Sequence, residues 1–291
     1  MIKRIIFVEL FLLLMLLLCG CGSNNLEQSA TVITDVSKIK QNDNYYIVET
    51  DWMIFYLSKN DFEENAVNDI ITEAVSVMAE IRAYLKVSYT LEQAKGTSCY
   101  FDSGYIDDKE QNRSQCFWRE KVMYCVLLQD FVHEYVHMVA GNNSDVIYKP
   151  DAIFVEGLAE YVSISFYGDI SGNKYRYFNE PTVFSDTSSE AYQAVSTFLT
   201  QKGLPLNREN YTRLQVHLFY RTSGMTEVDK NSDFYKYNIG YVLVDYCIDQ
   251  LGGLERFLQV YCDCITASEV YGKTVDALLE EACEYNANIF Q

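Results

Sequence analysis

The spacing of apolar positions divides the chain into an aromatic, strand-like part and a helical part. Residues 45–58 read YYIVETDWMIFYLS, and this run of aromatic and β-branched residues predicts one or two strands. Residues 61–86 carry apolar side chains at intervals of three and four, which predicts an amphipathic helix capped by Asn60 or Asp61. Residues 97–124 mix β-forming and turn residues, so we expect short strands and loops there.

From about Leu127 onward the apolar period becomes helical. The first helix is expected to end near Gly141, and the second to span residues 150–168, because proline suits a helix start and glycine a helix end. Further helices are predicted at residues 188–202, 207–221, 234–251, 253–264 and 273–285. Because strands come first, the sequence predicts an α+β fold, with a β-rich part containing one helix at 44–126 and a mainly helical part at 127–291.

Residues 1–21 have the order of a bacterial lipoprotein signal. Two basic residues precede an apolar run from Ile5 to Leu18, which is shorter than the roughly 20 residues that a spanning helix needs. Cys21 follows Gly20, and this pair resembles a lipobox, in which the cysteine receives the lipid. A plain cleaved signal or an uncleaved anchor is the alternative. The lipoprotein interpretation predicts an extracytoplasmic protein that acyl chains hold at a bacterial membrane.

The residues after this signal are interpreted as a tether followed by one domain. Residues 22–43 are rich in Ser, Asn, Gln, Asp and Thr, which favours a flexible segment, and the domain is expected to span residues 44–291. The chain carries 41 acidic and 23 basic residues, for a formal net charge of −18. Such a surface repels phosphate backbones, so the composition argues against nucleic acid as a partner.

The nine cysteines do not form a recognisable metal-binding pattern, because no pair has the C-x-x-C spacing of a zinc knuckle. Two lie in the predicted signal, and the odd number that remains leaves at least one thiol unpaired. Export from the cytoplasm permits a disulfide between Cys99 and Cys116. The alternative is that these cysteines are small buried residues with free thiols.

The segment DFVHEYVHMVAG, at residues 130–141, contains two of the chain's three histidines. His133 and His137 are four positions apart, so on an α-helix both rings project from one face and can converge on one ion. Glu134 lies about 100° around the helix from His133, beside the same point. This is the HExxH pattern, in which two histidines bind zinc and the glutamate acts as general base. The alternative is an ordinary buried helix with histidines in its packing.

A catalytic zinc site needs a third protein ligand and one position open to water. Glu156, on the next predicted helix, lies in the apolar segment IFVEGLAEY, where a carboxylate is costly unless it is paired or bound to a metal. Glu160 is one turn further along the same face. A solvated surface charge is the alternative role for Glu156. We therefore predict one Zn²⁺ per chain, bound by His133, His137 and Glu156.

HEYVH followed after 18 residues by EGLAEY resembles the gluzincin clan of zinc metallopeptidases, the aminopeptidase N branch in particular and thermolysin more distantly. The resemblance covers roughly residues 95–285. It implies a zincin-type fold in which Glu156 is the third ligand and Glu160 is the outer partner of a ligand histidine. It also matches Tyr237 and Gly240 to the clan's Tyr-x-x-Gly helix, whose tyrosine donates to the transition-state oxyanion. Core packing is the alternative role for Tyr237.

Two features leave the details of an activity open. The chain contains no Gly-x-Met-Glu-Asn block, with which the aminopeptidase branch holds a substrate N-terminus, so exopeptidase action is not implied. His217, the third histidine, is either an additional oxyanion donor or a structural residue on an apolar helix.

The N-terminal signal and the resemblance together predict a membrane-tethered, extracytoplasmic zinc metallopeptidase that acts on a peptide or protein substrate. Glu134 would be the general base and Tyr237 the oxyanion donor. The alternative is a peptidase-like surface lipoprotein that binds peptides without turnover.

Overall fold

A computed structural model describes residues 39–86, 96–143, 151–168, 189–225, 228–261 and 265–291 of the protein. Within these residues the fold is mixed α and β, with one six-stranded sheet and nine α-helices. The strands and the first helix precede residue 126 and the other helices follow, in loose agreement with the predicted α+β class. The predicted signal at residues 1–21, including Cys21, and most of the predicted tether lie outside the described residues.

Six short strands form the sheet. They are β1 (Lys40–Gln41), β2 (Tyr45–Glu49), β3 (Ile54–Ser58), β4 (Ser98–Phe101), β5 (Gln115–Phe117) and β6 (Val122–Cys125). Their order across the sheet is β1-β2-β3-β4-β6-β5. β3, β4 and β6 run parallel to one another, whereas β1, β2 and β5 pair antiparallel with their neighbours. The sheet thus begins at Lys40, inside the segment 22–43 that the sequence predicts as a tether.

The described residues contain nine α-helices and one π-helical segment. They are α1 (Glu64–Leu85), α2 (Asp130–Asn143), α3 (Ala152–Gly168), α4 (Glu190–Gln201), α5 (Arg208–Ser223), the π-helical segment (Phe234–Ile239), α6 (Gly240–Gln250), α7 (Gly253–Tyr261), α8 (Ala267–Tyr271) and α9 (Val275–Ile289). The apolar period does not predict α8, because five residues are too few to show it. None of the helices in the described ranges is long and apolar enough to cross a membrane.

The start of α1 differs from the prediction. The residue before the helix is Glu63, and its side chain makes no capping hydrogen bond. Asp61 instead accepts hydrogen bonds from the backbone N–H and the hydroxyl of Ser103, in the loop after β4. The local sequence predicts that Asp61 caps the helix. In the fold, its side chain instead bonds to a residue that is distant in the chain.

The two faces of the sheet differ, because side chains alternate along each strand. On one face, tyrosine rings of neighbouring strands stack, with Tyr56 at 4.4 Å and Tyr124 at 5.0 Å from Tyr100 between ring centroids. The other face is the core, where Phe131 of α2 lies 5.5 Å from Phe101 of β4 between ring centroids. Helix α2 is therefore anchored on the core face of the sheet.

The described cysteines carry free thiols, including both members of the pair Cys99 and Cys116. Cys99, Cys125, Cys247 and Cys283 are buried, and Cys116 is partly buried. Burial raises the pKa of Cys116 and of Cys125 well above the usual thiol value, so both stay protonated at neutral pH. Of the two alternatives that the sequence leaves open, these residues follow the one with small buried side chains.

Candidate metal centre

Helix α2 turns its two histidines away from the sheet. Phe131 and Tyr135 are fully buried on one side of the helix. His133 comes two residues after Phe131, and His137 comes two residues after Tyr135. Both histidines therefore project from the opposite side of the helix. Their Nε2 atoms are 3.0 Å apart. The helical period that the sequence predicts is therefore realised, and both ring nitrogens point to one place.

Helix α3 brings Glu156 to the same place. Its carboxylate oxygen Oε2 is 3.1 Å from His133 Nε2 and 3.2 Å from His137 Nε2. The three atoms form a nearly equilateral triangle. In the part of the chain that the structure describes, this is the group of side chains whose ligand atoms lie close enough together to share one metal ion.

The triangle has a suitable size for a tetrahedral metal ion. Nitrogen and oxygen ligands lie about 2.0–2.2 Å from zinc, which separates them by roughly 3.3–3.6 Å at tetrahedral angles. The observed separations of 3.0 to 3.2 Å are close to that range. Two imidazoles and one carboxylate are also a donor set that zinc accepts in catalytic sites, where a fourth position remains open. The residues present therefore fit the metal that the sequence predicts.

The charges around the triangle also favour a cation. Glu134, Glu156 and Glu160 contribute three carboxylates, and Arg208 is the arginine that contacts them, through Glu160. With the histidines neutral, these groups carry two more negative than positive charges. Buried charge is costly unless it is compensated, and a divalent cation would compensate it.

Without a metal, the ligands compete for a proton. Burial alone would lower the pKa of His133, but hydrogen bonds with Glu156 and Glu160 outweigh it and raise that pKa to about 10. Burial would raise the pKa of Glu156, but hydrogen bonds with His133 and His137 hold that pKa well below its usual range. A metal ion that binds here must displace the proton, so its apparent affinity should increase with pH.

Glu160 faces the other ring nitrogen of His133. Its Oε2 is 3.4 Å from His133 Nδ1, and its Oε1 accepts a hydrogen bond from Arg208 at the start of α5. A carboxylate in this position favours the tautomer with the proton on Nδ1, which leaves the Nε2 lone pair for a metal. The sequence predicts this role for Glu160, but it gives no indication of Arg208, which lies 48 residues away in the chain.

Glu134 is only 7% exposed, and it is not one of the three residues whose ligand atoms form the triangle. Burial raises the pKa of its carboxyl, while His133 and His137 act in the opposite direction. A carboxylate with a raised pKa is a better proton acceptor near neutral pH. Helix α2, which carries Glu134, packs against the edge strand β5.

Tyr237 lies beside the ligands on the π-helical segment. Its ring centroid is 5.6 Å from that of His133. Burial, followed by the charges of Glu156 and Glu134, raises the pKa of Tyr237 well above its ordinary value. The phenol therefore keeps its proton and can donate a hydrogen bond. A π-helical segment forms the first six residues of the helix that the sequence predicts at 234–251, and such turns are frequent at functional sites.

Two glycines allow α3 and the tyrosine-bearing segment to touch through their backbones. A Cβ added to Gly157 would lie 2.6 Å from the carbonyl oxygen of Gly240. A Cβ added to Gly240 would lie 2.8 Å from the carbonyl oxygen of Ile153. Because Gly157 follows Glu156 and Gly240 lies three residues after Tyr237, this close approach brings the ligand and the phenol to the same point.

His217 lies outside the metal centre. It is on α5, is 3% exposed, and its ring centroid is 4.9 Å from that of Phe290. Phe290 belongs to a small core cluster with Leu199 and Leu214. Burial lowers the pKa of His217, so the ring is neutral at pH 7. Its packing agrees with the structural alternative and not with a role as oxyanion donor.

No protein-family model, curated protein or solved structure matches the chain. A function must therefore be argued from the geometry of the centre and from the HExxH motif.

Proposed function

We propose that the protein is a zincin-type zinc metallopeptidase. The observation that carries the proposal is the convergence of His133 Nε2, His137 Nε2 and Glu156 Oε2 to within 3.2 Å of one another. Zinc is preferred for this donor set, and when bound it would supply a Lewis acid and lower the pKa of a water molecule.

Glu134 supplies the proton acceptor in this proposal. Its buried carboxylate, next to the ligand His133 in sequence, takes the proton of the attacking water. The raised pKa of Glu134 suits this step, because the resulting acid can then protonate the leaving amine. Burial also keeps bulk water from competing for the same proton.

Tyr237 is proposed to stabilise the oxyanion that develops when the scissile carbonyl is attacked. Its protonated phenol is a hydrogen-bond donor that is already in place beside His133. Donors fixed before the reaction stabilise developing charge without reorganising. The Gly157–Gly240 contact supports this role, because it holds the tyrosine segment against α3.

An extended peptide is the substrate class that the fold favours. β5 forms an edge of the sheet and pairs with β6 alone among the described strands. The outer backbone groups of such an edge can pair with an added strand. Helix α2, which carries the proposed base, packs against this edge strand. We therefore propose a peptide or protein substrate, without a preference for endo- or exopeptidase action.

The proposed location is outside the cytoplasm, at a bacterial membrane. The support is the N-terminal sequence alone, with its basic start, its apolar run and the lipobox-like Cys21. Acyl chains on this cysteine would hold the folded part near the membrane surface.

The experiment that tests the proposal measures zinc content and hydrolysis of quenched peptides together. Wild type and Glu134→Gln should each bind one zinc ion, because the substituted residue is not a ligand. Hydrolysis by Glu134→Gln should fall at least ~10²–10⁴-fold, the usual contribution of a general base. His137→Ala should lose both zinc and activity. Glu284→Gln, an exposed position on α9, is the matched control and should behave as wild type.

Three outcomes would contradict parts of this proposal. Hydrolysis that persists in Glu134→Gln would rule out the assigned base. Zinc bound equally by His137→Ala would show that the triangle is not the metal site. Peptide binding by zinc-loaded wild type without hydrolysis would identify a peptidase-like binding protein.

A further inference from the structure

Arg208 occupies a position that local rules disfavour. It is the first residue of α5, after the capping residue Asn207, whose side chain accepts a hydrogen bond from the backbone of Asn210. The N-terminus of a helix carries partial positive charge, which favours acidic residues such as Glu209 and disfavours a cation. A residue that departs from such a rule indicates a compensating contact elsewhere in the fold.

The compensating contact is with Glu160. An Nη of Arg208 donates to Glu160 Oε1, and the two side chains are 28% and 9% exposed. The other oxygen of Glu160 lies 3.4 Å from His133 Nδ1. The opposite nitrogen of that ring, Nε2, is one corner of the ligand triangle. A continuous series of contacts therefore runs from the start of α5, through α3, to the metal ligands.

This series determines which way Glu160 points. A glutamate side chain has several rotatable bonds and can point in several directions. One carboxylate oxygen of Glu160 stays directed at His133 only if the other oxygen is also held. Arg208 holds it. Without Arg208, the carboxylate would remain mostly buried and lack its cationic partner, so its orientation toward Nδ1 would no longer be enforced.

We propose that Arg208 is a positioning residue of the metal centre, which orients Glu160 and thereby sets the ring orientation and tautomer of His133. Arg208 does not touch the ion or the substrate in this role. Because the role concerns a metal ligand, it rests on the proposed function.

The test compares wild type, Arg208→Met, Arg208→Lys and Arg221→Met. The zinc dissociation constant is measured by competition with a chromogenic chelator, and the visible spectrum is recorded after substitution with Co²⁺. Arg208→Met should weaken zinc binding by ~10–100-fold, the usual effect of losing an outer partner of a ligand, and should change the Co²⁺ spectrum. Arg208→Lys should restore part of the affinity, because it returns the charge but not the planar fork.

Arg221→Met is the matched control. Arg221 lies in the last turn of the same helix and is exposed, so the same substitution there should leave zinc affinity and the Co²⁺ spectrum unchanged. An effect at Arg221 as large as at Arg208 would overturn the inference.

Double substitution makes the test independent of a general loss of stability. If Arg208 acts through Glu160, Arg208→Lys combined with Glu160→Gln should weaken zinc binding no more than Glu160→Gln alone. Additive losses would overturn the inference even if Arg208→Met does not fold. Wild-type affinity in Arg208→Met would overturn it while leaving the proposed metallopeptidase intact, whereas a wild type that binds no zinc would overturn both.

Discussion

Two groups of charged residues each include an arginine of α5, and their charges are balanced in different ways. The metal-site cluster consists of His133, His137, Glu134, Glu156, Glu160 and Arg208. The Arg213 cluster consists of Arg213, Glu209, Asp245 and Tyr241. In the second cluster, Arg213 is 2.9 Å from Asp245 and 3.1 Å from Glu209, and its guanidinium lies 5.4 Å from the centre of the Tyr241 ring.

The Arg213 cluster contains the cation that its carboxylates need. Arg213 and Asp245 form a neutral buried pair, and the second carboxylate, Glu209, is 41% exposed and therefore solvated. The metal-site cluster has three carboxylates to one arginine, and three of its ligand atoms face one another. A buried cluster whose own charges cancel needs no ligand, whereas converging acceptors without enough positive charge indicate a binding site.

The largest effect that separates the two clusters is expected from Arg213→Met. Removing one partner of a buried ion pair leaves Asp245 uncompensated, which typically costs about 3–5 kcal/mol of stability. Zinc affinity of the folded protein should not change, because Arg213 contacts none of the ligands. Urea unfolding and zinc titration of the same preparation measure both quantities. If Arg213→Met still folds but binds zinc more weakly, the claim that the Arg213 cluster acts independently of the metal ligands is wrong.

A smaller effect, shared by both clusters, is expected from Gly157→Ala. The new Cβ would meet the backbone of Gly240, and α6, which begins there, also carries Asp245. We expect a loss of about 1–3 kcal/mol of stability from overpacking, together with weaker zinc binding because Glu156 shifts. At an uncrowded helix position the same substitution would stabilise the protein by up to about 1 kcal/mol, so a stabilised variant would refute the close contact.

The smallest effect concerns pH, where His133 of the metal-site cluster and His217, which lies outside both clusters, should act in opposite directions. In metal-free protein, the pKa of His133 is raised to about 10, so its contribution to stability is present below pH 6.5 and is lost as the pH rises toward 10. Burial lowers the pKa of His217, so the unfolded chain binds its proton more readily. The contribution of His217 is therefore present above pH 6.5 and is lost as the pH falls below it.

The contribution of His217 can be measured by urea unfolding of metal-free wild type and His217→Gln between pH 5 and 8. The variant should lose less stability than wild type as the pH falls, because its side chain does not titrate. Parallel profiles for the two proteins would contradict the assignment of His217 as a buried neutral residue.

Patterns within single helices were sufficient to locate much of the candidate site. The four-residue spacing of His133 and His137 places both rings on one face wherever a regular helix forms, and the same holds for Glu156 and Glu160. Apolar periodicity located every described α-helix except the short α8 to within a few residues for the same reason, since the helical repeat is a local property. The π-helical turn was not predicted, because it depends on how the segment packs.

Contacts between residues that are distant in the chain could be identified only in the folded structure. Arg208 gives no local signal of a role at the metal ligands, and its partner is 48 residues away. The resemblance pointed to Tyr237 among the chain's 24 tyrosines, but only the fold shows that its ring lies beside His133. Likewise, Asp61 accepts hydrogen bonds from Ser103 and does not cap the helix as the sequence predicts.

The sequence thus settled which residues share a helix face, because backbone geometry and side-chain period act over a few residues. It left open which faces meet. The backbone contact of Gly157 with Gly240 brings Glu156 and Tyr237 together, and packing against Phe290 keeps His217 apart from the other two histidines. Those outcomes depend on steric fit and charge compensation between segments that are far apart in the chain, and only the assembled fold brings such segments into contact.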